Sequence, residues 1–201
     1  MAAGARTGLP LRHVLYRQAS RRLAPPFSVT RFGARYTPTA RYPLRNWSFL
    51  LQRVKIVGFG RVGTAVAGRL REHGFVLDRG DPELVLLCVP DRAIREVAGA
   101  VEPGPWIAHT SGATPLAALD PHERRFGIHP LQTFTRTRGP EQLDGAYAAI
   151  TSETDEAREV GFWLAGELGL EPFALDDSER ALYHAGAVVA SNFLVTLHRA
   201  A

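Results

Sequence analysis

The sequence predicts an α/β protein: a mostly parallel sheet with flanking helices, followed by one long apolar helix. Three observations predict it. Short apolar runs alternate with segments of helical period from Val54 to Leu175. Gly58, Gly60 and Gly63 stand in G-x-G-x-x-G spacing between the apolar run Val54, Ile56, Val57 and the helical pattern Val62, Ala65, Val66, Leu70. From about Ser178 onward, few positions on any helical face are polar. Strands that alternate with helices imply crossover connections, and so parallel pairing.

The first 53 of the 201 residues hold ten arginines and no Asp or Glu, so the net charge of +4 misleads. The remainder carries fourteen basic residues against all twenty acidic ones. The folded part is therefore acidic, and the high pI is no reason to infer nucleic-acid binding. Three readings of residues 1–52 compete: a transit peptide, a basic arm, or upstream sequence read through ahead of a native start near Val54. We favour the third; Arg outnumbers Lys 23 to 1, as a GC-rich genome with alternative start codons would give. In each case the segment is expected to be disordered. Its apolar end, Trp47–Leu51, offers a segment to pack on the domain.

No run approaches ~18 apolar residues, so no membrane span is expected. Cys88 is the only cysteine. An internal disulfide and a multi-cysteine zinc site are thereby excluded, and a reducing, cytoplasmic setting is expected.

In chain order, Val54–Val57 is a strand buried on both faces, and a helix opens inside the glycine motif. Gly58 serves the tight turn, Gly60 the approach of a pyrophosphate, and Gly63 the close packing of helix on strand. The helix then presents free N–H groups and its positive dipole end to an anion. The alternative is a tight strand–helix turn with no ligand.

Asp78, twenty residues past Gly58, stands where an acid would hold an adenosine ribose. Yet the strand Leu84–Val89 begins after only five intervening residues, too soon for a parallel neighbour. Phe75–Asp78 is then a stunted strand or a loop. Asp91 is expected to cap a helix over 92–100. Strands follow at 106–110, 125–129, 146–150 and 171–175. A short helix covers 115–119, and an amphipathic one covers 154–168 with Ala157, Val160, Leu164 and Leu168 inward. The helix from about Ser178, capped by Asp176 or Asp177, is apolar nearly all round and needs a cover. That cover is expected from a partner chain or from further helices.

Ligands of open parallel sheets bind outside the carboxyl ends of the strands. That rule selects Gly58–Gly63, Val89–Asp91, His109–Gly112 and His129–Gln132. His109 and His129 end strands, where either could act as general acid or bind a carboxylate or carbonyl. Otherwise each simply hydrogen-bonds a loop carbonyl. The terminal helix adds Tyr183, His184, Ser191 and Asn192, with His184, Val188 and Ser191 on one face. Asp120, His122 and Glu123 read as a solvated turn, and no metal site is expected. There is no G-x-S-x-G elbow to activate Ser111.

Five stretches carry a resemblance: Val57–Gly63, Leu86–Ile94, His109–Gly112, His129–Phe134 and Ala181–Phe193. Together they resemble the Rossmann-like proteins with domain of unknown function 2520, within the wider 6-phosphogluconate dehydrogenase-like and deazaflavin-dependent NADP reductase group. The resemblance covers residues 54–201 and implies an NAD(P)-binding domain over 53–176. It also implies that 177–201 begins a helical domain for dimerisation and active-site closure, cut after its first helix. By this analogy Gly58, Phe59, Gly60, Arg61, Val62 and Gly63 hold the pyrophosphate. Val89, Pro90 and Asp91 border the nicotinamide, and Ser111, Gly112, His129, His184 and Asn192 face the substrate. Two departures stand out. The stretch between Gly74 and Leu84 is shorter than the family's, which bears on the adenosine site. The related dehydrogenases also use a lysine on the first helix of the second domain; Lys55 is the only lysine here, so His184 would substitute.

The expected function is an NAD(P)-dependent oxidoreductase of a small oxo- or hydroxy-acid, with the NADP or NAD cofactor supplying the redox chemistry. A homodimer through the last helix, and neither nucleic-acid nor membrane binding, go with it. The alternative is a nucleotide- or metabolite-binding module without catalysis.

Overall fold

The computed structural model describes residues 47–200. The expectations for residues 1–46 lie outside the described residues. Seven strands form one sheet in the order β2-β1-β3-β4-β5-β6-β7. They are β1 Arg53–Val57, β2 Val76–Leu77, β3 Leu84–Leu87, β4 Trp106–His109, β5 Arg125–Pro130, β6 Tyr147–Thr151 and β7 Glu171–Ala174. Helices α1 Arg61–Glu72, α2 Ile94–Gly99, α3 Asp155–Glu167 and α4 Arg180–Ala200 complete the regular structure. The predicted α/β class is correct.

All ladders are parallel except β5 with β6, where Gly127 faces Thr151 and Pro130 faces Ala148. No α-helix lies between these two strands, only a 3-10 turn at Pro140–Leu143. Without a crossover helix, the chain returns beside the strand it has just left. Buried Gln142 pins this connection: its amide nitrogen donates to the carbonyls of Arg138 and Gly139, at 2.9 and 3.0 Å, and its oxygen accepts from Thr135 N at 2.7 Å.

β3 and β4 are buried at every position, as a central sheet covered on both faces requires. One core packs Val54, Ile56 and Leu84 against α1 and α3, and a second packs Val85, Leu87 and Ile107 against α2. Trp47 and Leu51 are buried in the first core, and the Trp47 ring meets Trp106 edge-on at 6.3 Å. The apolar segment ahead of β1 therefore packs beside β4.

The stunted strand is real and sits at the sheet's edge. β2 pairs only with Arg53 and Val54, on the far side of β1 from β3. The six residues after it pass the start of β1, where Glu83 accepts from Gln52 N and Arg53 N and pairs with the Arg53 guanidinium at 2.7 Å. No long crossover is needed, because β1 separates β2 from β3.

Two local expectations are corrected. Asp91 begins a 3-10 turn and caps nothing with its side chain; α2 starts later, at Ile94. His122 is buried, with Nε2 on the carbonyl of Ala98 at 3.0 Å, so it is not part of a solvated turn. Thr154 caps α3 by accepting from Ala157 N, and all four predicted inward residues of that helix are buried. Asp176 caps the turn before α4 by accepting from Ser178 N. Among the described residues no helix is long and apolar enough to cross a membrane.

Candidate functional site at the carboxyl edge of the sheet

β1, β3, β4 and β5 run parallel, so their carboxyl ends share one edge. At ~4.8 Å per strand, that edge runs about 14 Å from β1 to β5. The four predicted loops all lie on it.

At its β1 end the glycine turn is built by contact. Gly58 has φ +98°, and a Cβ there would stand 2.6 Å from the carbonyl oxygen of Cys88. A Cβ on Gly63 would overlap the carbonyl oxygen of Gly58, so only glycine lets α1 settle this close to β1. Gly60 differs from both, because a Cβ there would meet nothing within 4 Å. It begins α1 with no side-chain cap, which leaves the first-turn amides of Arg61, Val62 and Gly63 without a capping side chain. Phe59, Gly60 and Arg61 are exposed. Exposed backbone at an uncapped helix start fits a pyrophosphate.

Val89 continues this floor, with its Cγ1 3.0 Å from the place of a Gly58 Cβ. Pro90 and Asp91 are exposed beside it. The adenosine side is less well built. Asp78 has φ 56° and accepts from Ile56 N at 3.1 Å, so one carboxylate oxygen is committed to β1. β2 also ends at the level of Val54, short of the glycine turn.

At the β5 end, His129 and α4 form a groove of about 390 Å³, lined by His129–Thr133 and by His184, Ala187, Val188, Ala190 and Ser191. Nδ1 of His129 lies 2.7 Å from the Tyr183 hydroxyl, and the His129 and His184 rings meet edge-on at 6.0 Å. Gly112 makes this meeting possible. A Cβ on it would stand 2.6 Å from His184 Nδ1 and 2.9 Å from His129 Nε2. Burial pushes His129 down to about 4, helped by the charges of His184 and Arg180 and opposed by Asp91. Burial also pushes the Tyr183 hydroxyl up to about 12, against the pull of Arg180. Both groups are therefore neutral at pH 7.

The structure brings His129, His184 and Gly112 together and adds Tyr183 to them. It does not bring the Ser111 hydroxyl into the groove. That hydroxyl donates to Thr114 Oγ1 at 2.9 Å and accepts from the backbone of Ala113 and Thr114, which uses it up inside its own turn. Asn192 is exposed on α4, outside the groove lining. His109 is fully buried with neither ring nitrogen hydrogen-bonded, and burial, then Arg180, pushes it down to about 3. Its ring lies in the interior, outside the groove lining. Burial pushes the Cys88 thiol up to about 12, so it is no nucleophile.

Arg180 is the residue that the sequence did not reveal. Only 1% exposed, it donates to Thr151 Oγ1 at 2.6 Å and to the Ser111 carbonyl. Asp177, 3.8 Å away, turns its carboxylate to the backbone of Leu116. The first residue of α4 thus fixes the Ser111–Gly112 turn against β6. An arginine at the start of an apolar helix, three residues after a pair of aspartates, is the only sequence signal for this.

Among the described residues no cluster of His, Cys, Asp or Glu could hold a metal ion. Comparisons with known proteins follow the same geometry. Residues 146–201 match Domain of unknown function (DUF2520). This agrees with the resemblance read from the motifs. No curated sequence matches the chain. Among solved structures, the chain is similar to a Bacteroides fragilis protein described as an NADP oxidoreductase, with TM-score 0.63 and 20% identity over 74% of this chain and 70% of that one. It is similar to a Thermotoga maritima protein, with TM-score 0.56 and 23% identity over 72% and 65%. It is also similar to prephenate dehydrogenase of Aquifex aeolicus bound to hydroxyphenyl propionate and NAD+, with TM-score 0.57 and 16% identity over 65% and 62%. The chain spans less than two thirds of the length of these last two. At such identities the likeness establishes the Rossmann-like fold.

Proposed function

We propose that this chain is an NAD(P)-dependent oxidoreductase acting on a small oxo- or hydroxy-acid. One observation carries the reading: an uncapped, exposed helix start, set by close-packed Gly58 and Gly63 with Gly60 open between them, shares a sheet edge with a groove walled by two histidines, one of them against a tyrosine. Gly58–Gly63 hold the pyrophosphate, and Val89, Pro90 and Asp91 border the nicotinamide. When bound, the cofactor supplies or accepts the hydride. His129, neutral at neutral pH, presents a hydrogen bond to the substrate oxygen, and His184 completes the wall. Several neighbours carry oxidoreductase names, which agrees with this reading. A ketopantoate-type substrate is one member of the class.

Residues 53–176 form the cofactor domain in this proposal, and α4 belongs to a helical dimerisation and substrate domain. Leu182, Phe193 and Leu197 are each more than 60% exposed, an apolar surface that a second copy's α4 would cover. A nucleotide- or metabolite-binding module without catalysis is the second reading. The two-residue β2 and the committed Asp78 carboxylate favour it, because they leave little wall for an adenosine.

Titration with NADPH and NADH, followed by nicotinamide fluorescence, tests the first reading. Binding with turnover on a panel of oxo-acids supports it, and binding without turnover supports the second. No binding at millimolar cofactor would sink both for a nicotinamide ligand.

A further inference from the structure

We propose that Tyr183 donates its hydroxyl proton to Nδ1 of His129, that Nε2–H of His129 faces the substrate oxygen, and that Arg180 supports the phenolate left behind. This relay rests on the oxidoreductase reading and adds two residues of α4 to it. The geometry is local and closed. The Tyr183 oxygen is 2.7 Å from Nδ1, so that side of the ring is taken. His129 lines the groove, and Nε2 is its ring nitrogen left without a hydrogen bond among the described residues; it lies beside Gly112, where a Cβ would crowd it at 2.9 Å. Arg180 lies one helical turn before Tyr183, on the same side of α4. The Tyr183 ring is held edge-on between Phe173 and His129, at 6.0 and 5.5 Å.

Reduction of a carbonyl needs a proton as well as a hydride. An imidazole kept neutral cannot supply one as imidazolium at pH 7, so the proton must pass through the ring. The hydride pair comes from the reduced nicotinamide named above. As the substrate oxygen gains charge, it takes the proton from Nε2 and becomes a hydroxyl. Nδ1 takes the hydroxyl proton of Tyr183, and His129 stays neutral throughout. To reset the pair, Tyr183 takes its proton back from Nδ1 while Nε2 takes one from solvent. The charged and titratable groups facing His129 are Arg180, Tyr183 and His184 from α4, Asp91 beyond β3, and His109 from β4. Arg180 opposes the burial that holds the Tyr183 proton in place. Its guanidinium is itself fixed by Thr151 and the Ser111 carbonyl, so it cannot swing away.

The test is the tautomer of His129 in the 15N-labelled full chain, read from two-bond 1H–15N correlations at pH 7, with its signals identified by their loss in His129→Asn. The expected result is a protonated Nε2 and a bare Nδ1, with that preference weakened in Tyr183→Phe. A protonated Nδ1 in the wild type would overturn the relay, and that spectrum decides even if the Phe variant fails to fold. NADPH titration of the same samples separates the two levels. Binding together with a protonated Nδ1 removes the relay alone, whereas absence of binding removes the oxidoreductase reading on which it rests. On a substrate that turns over, Tyr183→Phe lowers kcat by about 10²-fold with KM unchanged. A merely structural tyrosine would move both.

Discussion

The carbonyl oxygen of Gly58 occupies the place that a Cβ of Gly63 would need. Gly63→Ala must therefore push α1 off β1. The expected loss of stability is about 1–3 kcal/mol, read by urea unfolding, and NADPH affinity falls with it.

Gly60 gives the opposite pattern. Its φ of −72° suits alanine, and nothing lies within 4 Å of the added Cβ. Gly60→Ala should leave stability unchanged or raise it by about 0.4–1 kcal/mol. NADPH affinity should nonetheless fall, because the methyl stands where the pyrophosphate meets the backbone. Unaltered affinity in this variant would place the ligand elsewhere.

Acid should destabilise the fold through its buried histidines. In the folded state His109 titrates near 3 and His129 near 4, both below the unfolded value of 6.5. Between those values the unfolded chain binds more protons, so stability rises with pH. It is complete above about 6.5 and is lost as pH falls toward 4 and below. His109 alone contributes up to about 1.4 kcal/mol per pH unit in that window. His109→Leu should flatten the slope of unfolding free energy between pH 6.5 and 5, and an unchanged slope would exclude His109 as its source.

Gln142 offers a test of the β5–β6 connection. Its amide nitrogen faces three carbonyls, those of Thr135, Arg138 and Gly139. Gln142→Leu takes their partner from the Thr135 and Arg138 carbonyls and from Thr135 N, while the Gly139 carbonyl keeps the backbone N of residue 142; the cost is about 2–3 kcal/mol. Gln142→Glu should be worse at pH 8, where a carboxylate meets carbonyl oxygens, and should partly recover at pH 5 as the acid protonates. Chemical denaturation at the two pH values checks the order.

Arg180→Met removes the donors to Thr151 and to the Ser111 carbonyl. The expected cost is about 2 kcal/mol or more, since both acceptors stay buried. Loss of the His129–His184 juxtaposition should follow, seen as altered ring-proton shifts for both.

The glycine motif and its flanks were legible because each element there is local. A buried run, three glycines at fixed spacing and a helical period follow one another within seventeen residues. The carboxyl-edge rule then placed His129 correctly, and helical spacing placed His184, Val188 and Ser191 on the groove. The sequence did not show that β6 runs antiparallel to β5, because the deciding feature is the lack of a helix in a long polar loop. Arg180 was hidden for a different reason. Its burial comes from the carbonyl of Ser111 and the hydroxyl of Thr151, which lie 69 and 29 residues away along the chain. Ser111 was set toward the substrate by the resemblance alone, and the Thr114 contact that occupies its hydroxyl is visible only in the fold. Asp78 was placed at the expected distance from Gly58, but its carboxylate turns to Ile56 N.

The most direct measurement is backbone amide shift mapping of the 15N-labelled chain as NADPH is added to millimolar concentration. The account predicts that the Arg61, Val62 and Gly63 amides shift first and most, with Val89 and Asp91 following. Silence at those amides at saturating NADPH, or shifts confined to other parts of the sheet, would contradict it.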